Sequence, residues 1–252
     1  MIGATWRRLR MAVALLTRIP VAYPPDARDD DIGPSAAMYP IVGVAVGAVT
    51  IGAYYGAAAV WDGTAMPVAA AIVAWIAVTG GLHLDGLMDA ADGLFSHRPR
   101  SDKLRIMKDP QVGAFGAVAL AVVLILKAAS LSAVPPHRVW KALLMAPMFG
   151  RLGMVYAGAA YPYARPEGGM GGAFAERVWW THVGVAAFTT LVACTLVRDV
   201  RVWAALLACG VFTFWAARRM ARSLGGLTGD TYGALCEAPG VVAPIASGGA
   251  AP

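Results

Sequence analysis

The sequence predicts an all-α fold, a polytopic membrane bundle of about six transmembrane helices with an amphipathic helix at its N-terminus. Hydrophobic residues make up 58% of the 252 residues and charged residues only 14%, and the mean hydropathy is +0.60. This composition is far from that of a soluble domain. Apolar stretches recur at a length near the roughly 20 residues that cross a hydrocarbon core. Basic residues gather in alternate connecting segments, as they do in the cytoplasmic loops of membrane proteins.

The first predicted element is an amphipathic helix that lies in the membrane interface. Trp6, Leu9, Val13 and Leu16 recur at helical spacing and share one face, with arginines beside it. Such a helix lies in the plane of the interface and does not cross the bilayer. The apolar run after the basic cluster is short and lacks a small-residue cleavage pattern, so we expect no cleavable signal peptide.

Six apolar stretches follow, each close to the length that a transmembrane helix needs. They cover residues 40–60, 66–82, 113–134, 139–160, 178–197 and 202–224. The second is long enough to cross only if its helix continues through the acidic segment after it. The basic segments predict that both termini and the acidic segment face the cytoplasm. We expect a membrane-embedded catalytic domain over residues 1–237 and a short tail over 238–252, disordered from residue 247.

Three aspartates, Asp85, Asp89 and Asp92, come directly after the second apolar stretch. Spacings of four and three residues place their carboxylates on one helical face. Each like-charge pair there costs about 2 to 3 kcal/mol at a separation of roughly 6 Å. A divalent cation relieves this repulsion, and Mg²⁺ bridging to phosphate oxygens suits such ligands. A solvated helix end is the alternative; the cluster favours phosphoryl-transfer chemistry.

The segment 103–113 carries three basic residues and then Asp109 before the third span. We expect Arg105 and Lys108 to contact phosphate oxygens, and Asp109 to join the metal shell or to orient a base. A positive-inside loop with no further role is the alternative for these charges.

Charges also occur inside the predicted spans. Arg151 is near the middle of its stretch, where a charge is costly unless it pairs with a carboxylate or lines a polar cavity. We therefore expect Arg151 to bind substrate phosphate. Lys127 either has a similar role or extends along its flexible stem toward the far interface. Arg165 lies in a segment rich in aromatic residues and glycine, 161–172, which is typical of a phosphate-binding backbone or of a plain turn.

A second acidic pair, Asp230 and Glu237, follows the last span. Their spacing of seven residues places both on one helical face, which predicts a second metal or base position. His83, two residues before Asp85, is either a hydrogen-bonding residue at the membrane boundary or a member of the site. The three cysteines lack the spacing of a zinc site or a disulfide framework.

The net charge of +6 is accounted for by the cytoplasmic loops and by anionic lipid or phosphate ligands, so we expect no nucleic-acid partner. The bilayer is the expected environment. A homo-oligomer is compatible with the sequence.

Five segments resemble the cobalamin synthase family, in order along nearly the whole chain. They are residues 17–20, 39–43, 79–93, 106–113 and 224–237. The most specific is 80–93, which reads Gly-Gly-Leu-His-Leu-Asp-Gly-Leu-Met-Asp-Ala-Ala-Asp-Gly. The resemblance implies an integral inner-membrane enzyme, an adenosylcobinamide-GDP ribazoletransferase. In this family the 5′-hydroxyl of α-ribazole, or of its 5′-phosphate, attacks the cobinamide-linked phosphorus of adenosylcobinamide-GDP. GMP leaves and magnesium is required.

The resemblance also implies roles for individual residues. Asp85, Asp89 and Asp92 would hold the metal against the pyrophosphate, Asp230 and Glu237 would join the polar site, and Asp92 is one choice of general base. The matching basic positions are Arg18, Lys108, Arg151 and Arg165, and His83 is matched without a role. Members of the family usually carry a further apolar segment after residue 237. Here that segment is short and interrupted by prolines, so we expect the terminal helix to be truncated or absent.

Two other functions compete with this interpretation. A CDP-alcohol phosphotransferase also uses spaced aspartates at a membrane boundary. Its signature has Ala-Arg shortly after the first Asp-Gly, whereas here no arginine follows Asp85 until Arg98. A cation-coupled transporter could use Lys127 and Arg151 with acidic ion ligands, but its charges usually lie near the midplane, within paired repeats. Here the acidic residues gather on one side.

Overall fold

The computed structural model describes residues 2–22, 24, 28–165 and 170–248. The described residues form helices joined by short connections and 3₁₀ turns. The helices are α1 (Ile2–Leu16), α2 (Ile32–Ser35), α3 (Tyr39–Ala58), α4 (Ala65–Thr79), α5 (Leu82–Phe95), α6 (Arg100–Ile106), α7 (Ala114–Ser132), α8 (Pro136–Ala160), α9 (Met170–Arg177), α10 (Trp180–Val197), α11 (Val200–Leu224), α12 (Gly229–Glu237) and α13 (Pro239–Gly248). The predicted all-α fold is confirmed.

Five helices in the described part of the chain are long and apolar enough to cross a membrane. They are the continuous segment Ile32–Ala58, which contains α2 and α3, and the helices α7, α8, α10 and α11. The multi-pass bundle predicted from hydropathy is therefore present, with the second stretch as the exception.

The second predicted span does not continue as one helix through the aspartates. Gly80 and Gly81 both adopt positive φ angles, 63° and 72°, and α5 leaves α4 at an angle of 88°. Glycine reaches this left-handed region without steric cost, and such a residue ends a helix. The 15 residues of α4 extend about 22 Å, which is less than a ~30 Å hydrocarbon core. At most, α4 and α5 make a sixth, broken span.

Helix α8 lies at the centre of the bundle, against α3, α10, α11, α12 and α13. Its approach to α3 depends on glycine, because a Cβ atom added to Gly43 would come within 2.7 Å of the Cα atom of Met148. The α8 residues in the middle of the helix are consequently buried, including Arg151.

The N-terminal helix packs onto the bundle through Met11, Ala12 and Leu16, all buried. Trp6, at the start of the predicted apolar face, is 59% exposed. This end of α1 therefore presents an aromatic ring outward, as an interfacial helix does.

The segment after residue 237 contains a helix, α13, which packs against α7, α8 and α11. A terminal helix is therefore present over residues 239–248, but with 10 residues it is too short to cross a membrane, which agrees with a truncated helix and not with an absent one. Pro239 occupies the first helical position, where its missing N–H group is not needed. Of the tail expected to be disordered, residues 249–252 lie outside the described residues.

Candidate active site

The site is organised by a close crossing of α5 and α12. A Cβ atom added to Gly86 would come within 3.0 Å of the carbonyl oxygen of Asp230, and one added to Gly233 within 3.1 Å of the carbonyl oxygen of His83. The absence of side chains at these two glycines lets the helix backbones approach. Asp230 is thereby brought next to the face of α5 that carries Asp85.

A cavity of about 540 Å³ opens at this crossing, which is within the usual range for small-molecule sites. One side is polar and includes Asp85, Asp230, Lys108 and Arg165. The other side is mainly apolar. It is lined by Leu15, Leu16, Ile32, Tyr39, Met154, Phe174 and Tyr232.

Asp85 and Asp89 are the carboxylates of α5 without a partner. Among the described residues, neither accepts a hydrogen bond or forms an ion pair. α5 turns away from α4 at 88° and is not one of the five helices that are long and apolar enough to cross a membrane. Burial, together with the nearby carboxylates of Asp230, Asp85 and Asp92, raises the pKa of Asp89 to about 6 against the opposing effect of Arg165. A bound cation would stabilise the ionised form of this carboxyl.

Asp92 has a different environment, because both of its carboxylate oxygens accept backbone N–H groups from the start of α7. Gly113 donates to Oδ2 at 2.9 Å and Gly116 donates to Oδ1 at 2.8 Å. The side chain is buried. A carboxylate at a helix N-terminus satisfies unpaired N–H groups and interacts favourably with the helix dipole. Asp92 therefore joins α5 to α7.

Asp230 forms an ion pair with Arg165, with 2.6 Å between Oδ2 and Nη2. The two residues meet because Ala164 donates its N–H to Leu227, and Leu227 donates to Pro162. This short backbone bridge places the residue after Ala164 beside the start of α12. Burial raises the pKa of Asp230, while the guanidinium of Arg165 opposes the rise.

The acidic residues fit one of the two modes in which proteins hold Mg²⁺. No group of three His, Cys, Asp or Glu side chains converges on one point within the described ranges, so the three aspartates do not form a closed cage. Mg²⁺ is, however, usually held by one or two carboxylates with water and substrate phosphates. Asp85 and Asp89, one turn apart and without a partner, suit that mode, whereas the oxygens of Asp92 are already hydrogen-bonded.

The predicted phosphate-binding residues separate into two groups. Lys108 and Arg165 line the cavity. Arg18 instead crosses the turn between α4 and α5, where its Nε atom would be 2.3 Å from a Cβ atom added to Gly80. Asp109 is exposed and accepts the N–H of Gln111 at 2.9 Å. Arg105 is paired with Asp102 on the surface.

Arg151 is wholly buried, as expected for a charge inside a span, but it is not among the residues that line the cavity. Its Nη1 atom donates to the carbonyl oxygen of Pro147 at 3.2 Å, while Nε and Nη2 have no partner in the described part of the chain. The expected contact with substrate phosphate is therefore not available in this conformation.

Glu237 does not join the cavity either. It is 2% exposed and forms an ion pair with Lys127, whose ammonium lies 4.3 Å from the ring centre of Trp75. Asp230 and Glu237 do share α12, but seven residues separate them by roughly 10 Å along the helix axis. The interpretation of Lys127 as extending to the far interface is wrong, because a buried carboxylate holds it inside the bundle.

The apolar wall contains aromatic residues that sequence reasoning did not select. The rings of Tyr39 and Phe174 stack with 5.6 Å between their centres, and Phe174 meets Tyr232 edge-on at 5.2 Å. Tyr39 and Tyr232 lie in two of the motifs that carry the family resemblance, which is a signal that could have identified them; Phe174 had none.

His83 also lines the cavity, and its Nε2 atom has no partner within the described residues. Residues 166–169 of the predicted glycine-rich segment lie outside the described residues.

Comparison with known proteins gives a consistent result. Residues 8–246 match the model of a family described as cobalamin-5-phosphate synthase. The chain is 40% identical to the adenosylcobinamide-GDP ribazoletransferase of Desulforamulus reducens, covering 91% of both chains. It is 40% identical to that of Roseiflexus sp., covering 92% of this chain and 85% of the relative. It is 39% identical to that of Pseudomonas savastanoi pv. phaseolicola, covering 90% and 93%. No solved structure matches it at a significant level.

Proposed function

This chain belongs to the cobalamin-5-phosphate synthase family, and we propose how its cavity carries out the adenosylcobinamide-GDP ribazoletransferase reaction of its relatives. The protein is a multi-pass membrane enzyme of cobalamin biosynthesis, and the reaction is the final synthetic step. The 5′-hydroxyl of α-ribazole, or of its 5′-phosphate, attacks the cobinamide-linked phosphorus of adenosylcobinamide-GDP. The bond between that phosphorus and the bridging oxygen breaks, and GMP leaves with this oxygen.

The observation that carries this proposal is the meeting of carboxylates that have no partner among the described residues with two basic side chains at the polar side of one cavity. Asp85, Lys108 and Arg165 line the polar side of the cavity, and Asp89 follows Asp85 by one turn of α5. Mg²⁺ held by Asp85 and Asp89 would neutralise charge on the pyrophosphate oxygens. The chain's own residues then supply orientation and the remaining positive charge.

Arg165 is the principal phosphate donor in this proposal. Its Nη2 atom is held by Asp230, so the guanidinium is oriented before the substrate arrives. Preorganised donors directed at developing negative charge stabilise a transition state without reorganisation during the reaction. Lys108, on the same polar side of the cavity, would add a point charge near the departing GMP.

The proton of the attacking hydroxyl passes to a carboxylate that faces the cavity. Asp85 and Asp230 line the cavity and belong to this set. Asp92 is a poorer choice than the sequence suggested, because α7 uses both of its oxygens. We therefore assign Asp92 to positioning α5 against α7.

The aromatic wall suits the base of the ribazole. Tyr39, Phe174 and Tyr232 present flat apolar surface to the cavity, and such rings stack favourably on a planar aromatic base. The Tyr232 hydroxyl has no partner among the described residues and would bond to the bound nucleoside. At the mouth, Leu82 and Met170 are exposed apolar residues on which the larger corrinoid would rest.

A direct assay tests the proposed reaction. The purified protein in nanodiscs is incubated with adenosylcobinamide-GDP, α-ribazole and Mg²⁺, and the release of GMP and the formation of adenosylcobalamin are measured. We expect both products in equal amounts, and neither when α-ribazole is omitted. A folded sample that releases no GMP, or releases it without α-ribazole and forms no cobalamin, contradicts the assignment.

We also propose that both termini face the cytoplasm of a bacterial inner membrane. The native cysteines are buried, so an introduced one can be labelled selectively. Asp62→Cys, in the exposed turn between α3 and α4, should react with an impermeant thiol reagent added to spheroplasts. Arg98→Cys, exposed after α5, should react only after lysis. The reverse pattern contradicts the orientation.

A further inference from the structure

A second cavity lies away from the catalytic residues, between α8, α10 and α11. Its volume is about 350 Å³. It is lined by Phe149, Leu152, Gly153, Tyr156, Val183, Ala187, Leu206, Cys209, Gly210, Thr213 and Phe214. Because these three helices are membrane-spanning candidates, the groove belongs to the part of the bundle that faces hydrocarbon.

The surroundings of the groove indicate that it opens to lipid. Phe188 on α10 and Leu207 and Val211 on α11 flank the lining residues and are 69%, 69% and 62% exposed. An apolar groove in such a surface is filled by an apolar chain, since an empty one forfeits dispersion contacts with its lining atoms.

One end of the groove is basic and aromatic. Arg218 follows the lining residue Phe214 by four positions and so lies on the same face of α11, one turn further on. Helical side chains lean toward the N-terminus of their helix, which directs Arg218 back toward the groove. On α10, Trp180 precedes the lining residue Val183 by three positions, and its ring centre is 6.2 Å from that of Tyr156.

The arginines at this end are available for a ligand. Arg218, Arg219 and Arg222 form no ion pair with any residue that the structure describes. Arg218 and Arg219 are exposed, and exposed tryptophans at residues 179 and 180 lie at the start of α10. Tryptophan and arginine together are typical of the level at which lipid head groups lie.

We propose that this groove binds an anionic phospholipid of the surrounding bilayer. One acyl chain lies between α8, α10 and α11, and the phosphate contacts Arg218. The apolar lining accounts for the chain, and the unpaired arginines account for the preference for negative charge. The proposal does not depend on the reaction performed at the other cavity.

Glycine substitutions allow a matched test. A Cβ atom added to Gly210, which lines the groove, meets nothing within 4 Å, and the same is true of Gly184 on the exposed surface of α10. Gly210→Leu therefore starts its side chain in open space within the groove, while Gly184→Leu adds the same side chain outside it. Both variants should insert and fold, which thermal unfolding in detergent verifies.

Native mass spectrometry of the purified full chain then measures lipid adducts with phosphatidylglycerol and with phosphatidylcholine of the same acyl chains. We expect wild type and Gly184→Leu to retain phosphatidylglycerol, and Gly210→Leu to lose most of it. Arg218→Gln should reduce the preference for phosphatidylglycerol over phosphatidylcholine about five-fold, the effect of one basic residue near a charged lipid surface.

Three results would overturn the proposal. One is equal adducts in Gly210→Leu and Gly184→Leu, which would place the lipid elsewhere. Another is no preference for phosphatidylglycerol in the wild type. The third is a dimer that dissociates only in Gly210→Leu, which would assign the groove to a second copy of this chain.

Discussion

Gly86 of α5 lies against Asp230 of α12, so closely that a Cβ atom on Gly86 would come within 3.0 Å of the carbonyl oxygen of Asp230. This backbone contact determines the spacing between the two acidic elements of the site. The carboxylates that face the cavity are therefore set by how two helices cross, and residues elsewhere on α5, α7 and α12 hold that crossing in place.

Asp89→Asn should lower turnover by at least about 100-fold, in the range found when one electrostatic contact to a transition state is removed. The neutral amide cannot hold the cation, and the fold should be retained because Asp89 has no partner to lose. GMP release measured over a range of Mg²⁺ concentrations tests this. Asp62→Asn, an exposed aspartate in the turn after α3, is the matched control and should behave as wild type. Full activity in Asp89→Asn would remove the metal assignment.

Asp92→Asn should reduce stability as well as activity. Its amide would present N–H groups to the N–H groups of α7, leaving a buried donor unpaired at a cost of about 1 to 3 kcal/mol. Thermal unfolding in detergent should therefore distinguish it from Asp89→Asn. Gly116→Ala should have the same effect without altering a carboxylate, because its Cβ atom would lie 2.4 Å from Oδ2 of Asp92. If both variants unfold as wild type does, Asp92 does not connect α5 to α7.

Lys127→Met should destabilise the bundle by about 3 to 5 kcal/mol, because it leaves the carboxylate of Glu237 buried without its partner. The double variant Lys127→Met with Glu237→Met should recover most of this loss, since both charges are then replaced by apolar groups of similar size. Reversible unfolding in mixed micelles measures both. We expect the double variant to remain active, because neither residue lines the cavity. A double variant that is stable but inactive would indicate that Glu237 takes part in the reaction.

Tyr232→Phe should weaken ribazole binding about five-fold, the effect of losing one hydrogen bond of roughly 1 kcal/mol. The KM for α-ribazole should rise while binding of adenosylcobinamide-GDP stays unchanged. Stability without substrate should not fall, because the hydroxyl that is removed has no partner. Tyr39→Phe, which removes the hydroxyl of another tyrosine in the same cavity wall, is the control. Equal effects of the two variants on the KM for α-ribazole would argue against the proposed contact.

Several features of the site were accessible from sequence. Four of the predicted residues line one cavity: Asp85, Lys108, Arg165 and Asp230. They could be predicted because each lies in or beside a short segment of characteristic sequence near the start or end of a helix. The prediction for Arg151 depended on its position near the middle of a span, and that for Glu237 on its spacing from Asp230. Position and spacing within one helix do not indicate which neighbouring helix a side chain contacts, and neither residue lines the cavity. Phe174 carries no local pattern and became visible only in the packed bundle.

Hydropathy and charge distribution by themselves determined that this protein is an all-helical membrane protein, and the motifs and their order determined its family and its enzymatic activity. Both properties depend on residues that are near one another in the chain, apolar stretches for the first and short motifs for the second. Tertiary structure alone decided that the chain turns after Gly80, that α7 takes both oxygens of Asp92, and that Glu237 pairs with Lys127 away from Asp230. These outcomes depend on contacts between helices far apart in sequence, where a buried carboxylate takes whichever donor the packing brings within reach.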